Sequence, residues 1–444
     1  MPKFILIRKK IDTFKRNTLS IPGDKSISIR FIILSSLTKG KCVAYNILDS
    51  QDVNSAIKSI RKLGIKINLK KSYCEVYGRG LFGFKYKKNL ILDAGNSGTT
   101  ARLICSTLID AEYPIKIIGD KSLRSRDMER IIKPLKLFGV KLRDNNGKLP
   151  LSIKGTKFTK AINFTENLGS AQCKSAVMIA ALKTNGTTKI KSLPSRNHTE
   201  LIFKNVLKVP IKIKNKKKYD FIEVKGKKEI MPFNYKIPGD ISSASFFIVL
   251  TLLSKNSELT LKNVNINPSR TGIIKILNMM GAKIKFLNKK NYKGEIIGDI
   301  FVKSAKNLKA VNLNSSFNSS AIDEFLLIFL VASRCKGISS FVKLSELNKK
   351  ESKRLDWGIK ILKMMDIKTK KTKNYGVKIW GNKNFQTKKN YIIKNYLKDH
   401  RIFMVSVIAA LSFGGNWKIY DPESFKTSFP TFLKLLISLG AKLK

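Results

Sequence analysis

Histidine and cysteine are scarce in this chain of 444 residues, which has two histidines and five cysteines scattered at Cys42, Cys74, Cys105, Cys173 and Cys335. No CxxC pair occurs, which argues against a metal site and for a reducing compartment, so a cytoplasmic location is expected. No apolar run reaches the length of a bilayer span. The most apolar helical stretch, AIDEFLLIFLVAS, carries Asp323 and Glu324 near its start. The opening FILI segment is too short for a signal-peptide core, and no small-residue cleavage site follows it.

Acidic residues are also few, 30 against 87 basic ones, for a formal net charge of +57. A balance this positive raises nucleic-acid binding, because phosphate neutralisation dominates such affinity. The charge is mostly lysine, however, and is spread along the whole length rather than gathered into one tail or helix face. The chain is also rich in Ile, Asn, Phe and Tyr, which share A/T-rich codons with lysine. Most lysines therefore read as solvated surface, with no specific nucleic-acid partner and no membrane expected. Only 15 basic residues are arginine, and nine of them fall in short motifs: Arg30, Arg102, Arg124, Arg126, Arg130, Arg196, Arg270, Arg354 and Arg401. A guanidinium kept where lysine is the default points to bidentate recognition of carboxylate or phosphate. Both histidines, His198 and His400, lie beside two of these arginines.

What is present is repetition. The hydrophobic content of 43% is globular, and the length predicts two domains of roughly 200 residues. PGDKSISIRFIILSSL from Pro22 returns as PGDISSASFFIVLTLL from Pro238, with eight of sixteen positions identical. The serines after each PGD are expected to cap a helix that the apolar run then buries. Only the first copy carries Lys25 and Arg30; the second has Ile241 and Phe246. A subtler repeat joins a helical-period segment, a turn residue and an alternating strand: LGIKI at 63, FGVKL at 138, VPIKI at 209, MGAKI at 280, MDIKT at 365 and LGAKL at 439. The turn residue is glycine four times, where a helix stops in the left-handed conformation. Such a period marks a repeated supersecondary unit. The chain thus reads as α/β, with two similar domains of three strand-and-helix units each: 22–237, and 1–21 plus 238–444.

Candidate chemistry sits at the starts of elements, where backbone amides point outward. Lys25, Ser26 and Arg30 open one helix. DAGNSGTTARL supplies Asn96, Gly98, Thr99 and Arg102 in an anion-cradle turn. GDKSLRSRDMERI adds Arg124 and Arg126 on a loop entering a helix, GSAQCKSA adds Ser170 and Gln172, and SRNHTE adds Ser195 and Arg196. The second half contributes acids among cations: Asp323 and Glu324 in AIDEF, Lys350, Glu351 and Arg354 in KKESKR, and Arg401 in DHR. A carboxylate among cations can act as a general base, and a nearby acid can return the proton.

The ordered set PGDKSIS-x-R, GNSGTT-x-R, SAQ-x-KSA, SR-x-HTE, PGDISSA, IDE, KES-x-R and DHR resembles 5-enolpyruvylshikimate-3-phosphate synthase of the enolpyruvyl transferase family, over about residues 20 to 430. The resemblance implies two similar domains, each of three βαβαββ units in an inside-out α/β barrel, closing on a substrate cleft between them. It implies a monomer that transfers the enolpyruvyl group of phosphoenolpyruvate to the 5-hydroxyl of shikimate-3-phosphate, without metal or cofactor. By similarity, Lys25, Ser26, Arg30, Ser170, Ala171, Gln172, Arg196, Asp323 and Lys350 would hold shikimate-3-phosphate. Lys25, Asn96, Gly98, Thr99, Arg126, Gln172, Arg354 and Arg401 would hold phosphoenolpyruvate. Asp323 would take the 5-hydroxyl proton, Glu351 would protonate the methylene carbon, and Lys25 would reach both substrates.

Four departures from the family pattern stand out. Asp127 replaces a proline that often follows the loop arginine, and would loosen that loop. Lys353 replaces an aspartate, removing a partner for a neighbouring cation. Thr427 stands at or beside the place of a late lysine, for which Lys426 is an imperfect substitute. Residue 103 is Leu rather than Pro. Gly98 is retained, which in the family leaves room for glyphosate. Alternative readings are the sister transferase acting on UDP-N-acetylglucosamine, a basic nucleic-acid-binding protein, and an inactive relative. The sister enzyme carries Lys-Asn in place of Lys25-Ser26 and a reactive Cys in a loop that here, at 119 to 126, has none.

Overall fold

Five of the six turn markers begin at the C-cap of a helix. In the computed structural model, which describes residues 3–216, 218–226 and 229–444, Gly64, Gly139, Gly281 and Gly440 stand at φ 85°, 94°, 92° and 97°, and Asp366 at 57°. The third marker differs. Its left-handed residue is Lys208, at φ 52°, two positions before Pro210. A proline ring holds φ near −65°, so the turn is made upstream of it.

The markers distribute over six sheets among the described residues, five of four strands and one of three. In the first, Asn234–Lys236 runs parallel to Lys39–Tyr45, which pairs antiparallel with Tyr73–Arg79, with Lys66–Lys70 outermost. Four other sheets repeat that plan, one parallel pair followed by two antiparallel ones. In the sixth, Asn390–Ile393 is parallel to Asn416–Tyr420, which pairs antiparallel with Phe4–Ile7. The strand expected after Gly440 is reduced to a two-way backbone bond between Leu6 and Lys444.

The chain divides into two compact units. One comprises Gly23–Ile237 with Asn291–Glu295; the other comprises Met1–Pro22, Pro238–Lys290 and Ile296–Lys444. Each has its own apolar core. In the first unit the helices Lys25–Ser36, Gly98–Thr107 and Ala171–Ala181 are buried on nearly every face. In the second the same holds for Ile241–Leu253, Phe325–Ala332 and His400–Phe413. Several hydroxyls along these helices bond back to the preceding turn: Ser35 donates to the Phe31 carbonyl at 2.5 Å, Ser106 to Leu103 at 2.6 Å, and Thr251 to Phe247 at 2.8 Å. Such back-bonding lets a serine sit in a core without an orphaned donor. No single helix among the described residues is long and apolar enough to cross a membrane.

The helix caps differ from expectation. Asp24 and Asp240, rather than the serines after them, are the N-caps, accepting from the amides of Ile27 and Ser242. The serines already lie inside the first turn, where their side chains can take other partners.

Where the return strands pass the ends of the buried helices, the backbones nearly touch. A Cβ on Gly78 would meet the carbonyl oxygens of Ser35 and Thr38, each at 2.3 Å. On Gly155 it would meet the Ala111 amide nitrogen at 2.1 Å, and on Gly381 the Cys335 carbonyl at 2.1 Å. These contacts are with backbone and cannot be relieved by a rotamer change. Gly78→Ala is expected to cost about 3 kcal/mol by forcing helix and strand apart. Gly80→Asn, at φ 87° with open space around it, should cost about 1 kcal/mol. Urea unfolding of both variants checks this, and equal losses would show that the close approach is not the constraint.

Candidate active site

The first unit brings the N-termini of its buried helices to one set of side chains. On the Lys25 helix, the ammonium of Lys25 donates to Asp52 at 3.0 Å. Arg30 is buried one turn further in. Its Nε donates to Thr199 at 2.8 Å, one Nη to the Ser26 carbonyl at 3.0 Å, and the other to Ser175 at 3.0 Å. Arg30 therefore ties three helices together, and its guanidinium is already engaged by protein groups.

The Gly98 helix is capped by Ser97, which accepts from the Thr100 amide. Its first turn packs against two buried guanidiniums. Arg102 donates to Gln172 Oε1 at 2.6 Å and to the Asp127 carbonyl at 2.8 Å. Arg126 donates to Asn96 Oδ1 at 2.7 Å and to Ser122 at 3.1 Å. Gln172 returns with its Nε2 to Thr99 at 2.8 Å, and Asn96 donates to Asp120 at 2.6 Å. A Cβ on Gly98 would lie 2.7 Å from a terminal nitrogen of Arg102 and 3.4 Å from one of Arg126. The missing side chain thus leaves backbone amides and two cations facing one space, which suits an oxyanion. Ser170 caps the third helix through the Cys173 amide at 3.3 Å, with Ala171 and Gln172 half-buried in its first turn. Arg196 is half-buried in the segment before the His198–Asn205 helix. Arg124 is exposed and donates to the Gly119 carbonyl. His198 is wholly buried and bonds Glu295 at 2.6 Å, a structural pair rather than a site group.

The second unit assembles the acids. Asp323 Oδ1 lies 3.4 Å from Lys350 and 3.4 Å from Arg354. Arg401 donates to the Asp323 backbone carbonyl at 2.8 Å and lies 3.7 Å from Glu324. Arg354 is buried at the centre. It donates through Nε and Nη2 to both oxygens of Asp399, at 2.8 and 3.1 Å, and also to Glu351. Burial alone would lower the Arg354 pKa, but Asp399 and then Glu351 hold it well above the usual range. Burial likewise works to raise Asp399, yet the adjacent Arg354 leaves its carboxyl below the ordinary value. Asp399 also caps the His400 helix through the Arg401 amide at 2.9 Å and accepts from Ser352 at 2.9 Å.

The second PGD element has a different use. Ile241 and Phe246 are buried, Phe246 edge-on to Phe432 with centroids 5.5 Å apart. Ser242 accepts from Arg270 at 2.8 Å and donates to the buried Glu324 at 2.5 Å. Arg270 also reaches Asp240 at 3.3 Å.

Two expected weaknesses are offset. Asp127 accepts from the Glu129 amide at 2.7 Å and pairs with Arg130 at 3.3 Å, while its carbonyl holds Arg102. The loop is thereby pinned by side-chain bonds in place of a proline ring. Lys353 is exposed and Arg354 has three carboxylate partners without any contribution from position 353. Lys426 pairs with Glu423 on the turn Pro422–Thr427. Asp52 and Asp399 escaped the motif reading. Asp399 stands in DHR just before an apolar helix, a cap position that could have flagged it; Asp52, inside the Gln51–Lys62 helix, carries no local signal.

The family model described as EPSP synthase (3-phosphoshikimate 1-carboxyvinyltransferase) matches residues 13–436. The chain is 38% identical over 424 residues to the 3-phosphoshikimate 1-carboxyvinyltransferase of Ruthia magnifica subsp. Calyptogena magnifica, with 95% of each chain covered. It is 37% identical over 433 residues to that of Thermoanaerobacter sp. (strain X514), covering 97% of this chain and 98% of the relative. Its structure is similar to that of EPSP synthase from Acinetobacter baumannii, with a TM-score of 0.86 at 32% identity over 100% of this chain and 99% of that one. The mixed α/β fold in two similar halves is the one the motif set implied. With the match running across nearly the whole chain, it belongs to the EPSP synthase (3-phosphoshikimate 1-carboxyvinyltransferase) family.

Proposed function

We propose that this chain transfers the enolpyruvyl group of phosphoenolpyruvate to the 5-hydroxyl of shikimate-3-phosphate, releasing phosphate, in the route to chorismate and the aromatic amino acids. The observation that carries the reading is the pairing of two residue sets in one chain of this family. One is an oxyanion cradle of Gly98, Arg126 and Gln172; the other is Asp323 between Lys350 and Arg354.

Several negative charges must be brought together before the carbons can meet, so cations are needed at fixed positions. Lys25, Ser26, Arg30, Ser170, Ala171, Gln172, Arg196 and Lys350 are assigned to shikimate-3-phosphate. Arg30 acts in that set mainly by fixing the Lys25 helix, since its guanidinium is bonded to Ser26, Ser175 and Thr199. Lys25, Asn96, Gly98, Thr99, Gln172, Arg126, Arg354 and Arg401 are assigned to phosphoenolpyruvate. Asp323 draws the proton from the 5-hydroxyl as the oxygen attacks the enol carbon. Glu351 delivers a proton to the methylene carbon. Arg354 holds Glu351, and a substrate carboxylate that takes over Arg354 releases Glu351 for that task. Loss of phosphate and of a methyl proton then restores the enol ether. The protein acts as a monomer in the cytoplasm on these two small molecules.

Phosphate release with shikimate-3-phosphate as acceptor, and none with UDP-N-acetylglucosamine, tests the assignment directly. Three variants test the parts. Asp323→Ala should lower kcat by about 10²- to 10⁴-fold with little change in substrate affinity; turnover near the parent value would remove it as the base. Arg126→Ala should raise the KM for phosphoenolpyruvate by about 10- to 100-fold and that for shikimate-3-phosphate far less. Equal effects on both would displace Arg126 from the phosphoenolpyruvate set.

The third variant concerns pH. Asp399 has a folded pKa below its unfolded value, so its stabilisation is fully present above the unfolded pKa of about 3.9 and is lost as pH falls through the lower folded value. At pH 7 Asp399→Asn, which leaves Arg354 buried without its main partner, should destabilise by about 3–5 kcal/mol. The gap to the parent in urea unfolding should narrow below about pH 4. A gap that widens on acidification would contradict the ion-pair account.

A further inference from the structure

The lysines do not all lie on featureless surface. The sheet built on Lys39–Tyr45 gathers cations around aromatic rings on one face. Its two central strands, Lys39–Tyr45 and Tyr73–Arg79, present Tyr45, Tyr73 and Tyr77 on the same side. Tyr45 is half exposed and meets Tyr73 edge-on, with centroids 5.6 Å apart. Lys41 and Lys66 flank Tyr77, 5.9 and 5.2 Å from the ring centre. Strand register brings Lys39 opposite Arg79, Lys41 and Lys66 opposite Tyr77, Lys70 opposite Tyr73, and Lys236 beside Tyr45.

Two acids lie among these cations: Glu229, exposed and 3.7 Å from Lys39, and Glu75, which is consumed internally. Glu75 lies between the two strand tyrosines and accepts from Lys41 at 2.5 Å, Asn68 at 3.2 Å, Tyr73 at 3.0 Å and Tyr77 at 3.1 Å. Lys41 first, then Asn68 and Tyr73, hold its carboxyl down at about 2. Both tyrosine hydroxyls are thereby drawn to one carboxylate.

We propose that this sheet face binds single-stranded nucleic acid without sequence preference, bases stacking on Tyr45 and Tyr77 while Lys39, Lys66, Lys70 and Arg79 take the phosphates. A four-stranded sheet with aromatics on its central strands and cations around them meets both needs of a single strand: every base has a face to stack, and every nucleotide a charge to neutralise. A duplex hides its base faces, and an anionic bilayer has none to offer. Single rings beside lysines recur on other strands, as at Lys191 with Tyr219 and Lys418 with Phe4, but here three tyrosines share one face. The neighbouring sheet of Ile91–Asp93, Ile115–Ile118, Lys148–Lys154 and Lys141–Asn145 exposes Lys116, Lys141, Arg143 and Lys154 but no tyrosine, phenylalanine or tryptophan on those strands.

The test uses the full chain, a fluorescent twelve-nucleotide oligo-uridine and a salt series. Tyr45→Ala/Tyr77→Ala should weaken binding by about tenfold or more, the loss expected for removing base stacking, while leaving the salt slope and enolpyruvyl transfer unchanged. Tyr45→Phe/Tyr77→Phe should bind like the parent, which separates stacking from any disturbance of the sheet. Lys141→Glu/Lys154→Glu, an equal or larger charge change on the ring-free sheet, should cost less than about threefold. Equal losses on both sheets, or competition by heparin, duplex RNA or phosphatidylglycerol vesicles as effective as by single strands, would reduce the face to a general polyanion surface and overturn the proposal. Failure to bind the oligonucleotide at about 50 mM salt, where phosphate contacts are strong, would do the same.

Discussion

A helix buried along its whole length has only its ends left for chemistry. Each unit contains three such helices, and the placement of the site residues is largely a consequence. Their sides are filled mostly by apolar groups, with several serines and threonines bonded back to their own helices. Their first turns carry amides that no helical carbonyl can satisfy, and a partial positive charge. One amide on most of them is taken by a side-chain cap, from Asp24, Ser97, Ser170, Asp240 or Asp399. The rest are open to water, other side chains or an anion. A fold built this way offers several places suited to phosphate and carboxylate, and the recruited cations lie at or near helix starts.

The arginines then turn a diffuse preference into a geometry. Arg102, Arg126, Arg354 and Arg401 are buried or nearly so, and each has directed bonds that fix the plane of its guanidinium. Taking such charges out of water costs several kcal/mol apiece and is offset only by well-formed pairs. Asp399 shows the compensation most clearly, since one carboxylate caps a helix, accepts from Ser352 and grips Arg354 by both oxygens. Lysine could not serve there: a point charge on a flexible stem has no plane to fix. That is the physical reason the few arginines of a lysine-rich chain are concentrated in its motifs.

Much of this was legible from local pattern. Six turn markers foretold six units because a helix that must stop and reverse into a strand needs a left-handed residue, and glycine takes that conformation without strain. The same logic failed by two residues at Val209-Pro210, where the pattern was present but proline could not adopt the angle and Lys208 did instead. The motif residues could be grouped because each lies at a helix start. What stayed hidden was long-range pairing: Lys25 with Asp52, Ser242 with Glu324, and Asp323 with Lys350. Such partners meet only after the sheets have formed, and no spacing in the chain encodes them. Composition is silent on a further point, since strand register sets lysines from separate segments side by side.

The two PGD elements show how one scaffold came to hold unlike ends. Both begin with a glycine against a neighbouring backbone and an aspartate cap; a Cβ on Gly23 would lie 1.9 Å from the Asn46 carbonyl, and one on Gly239 3.2 Å from that of Ile21. The difference starts at the next residue. Lys25 is polar and only partly buried, so the first helix start keeps a cation at its mouth and holds it against Asp52. Ile241 is buried outright, so Ser242 at the second start bonds Arg270 and Glu324. Glu324 in turn lies next to Asp323 in the chain and 3.7 Å from Arg401. The second copy therefore serves the acids indirectly, by fixing the segment that carries them. The second helix start is thus a brace, while Arg354 and Arg401 bring cations to the segment that carries the acids.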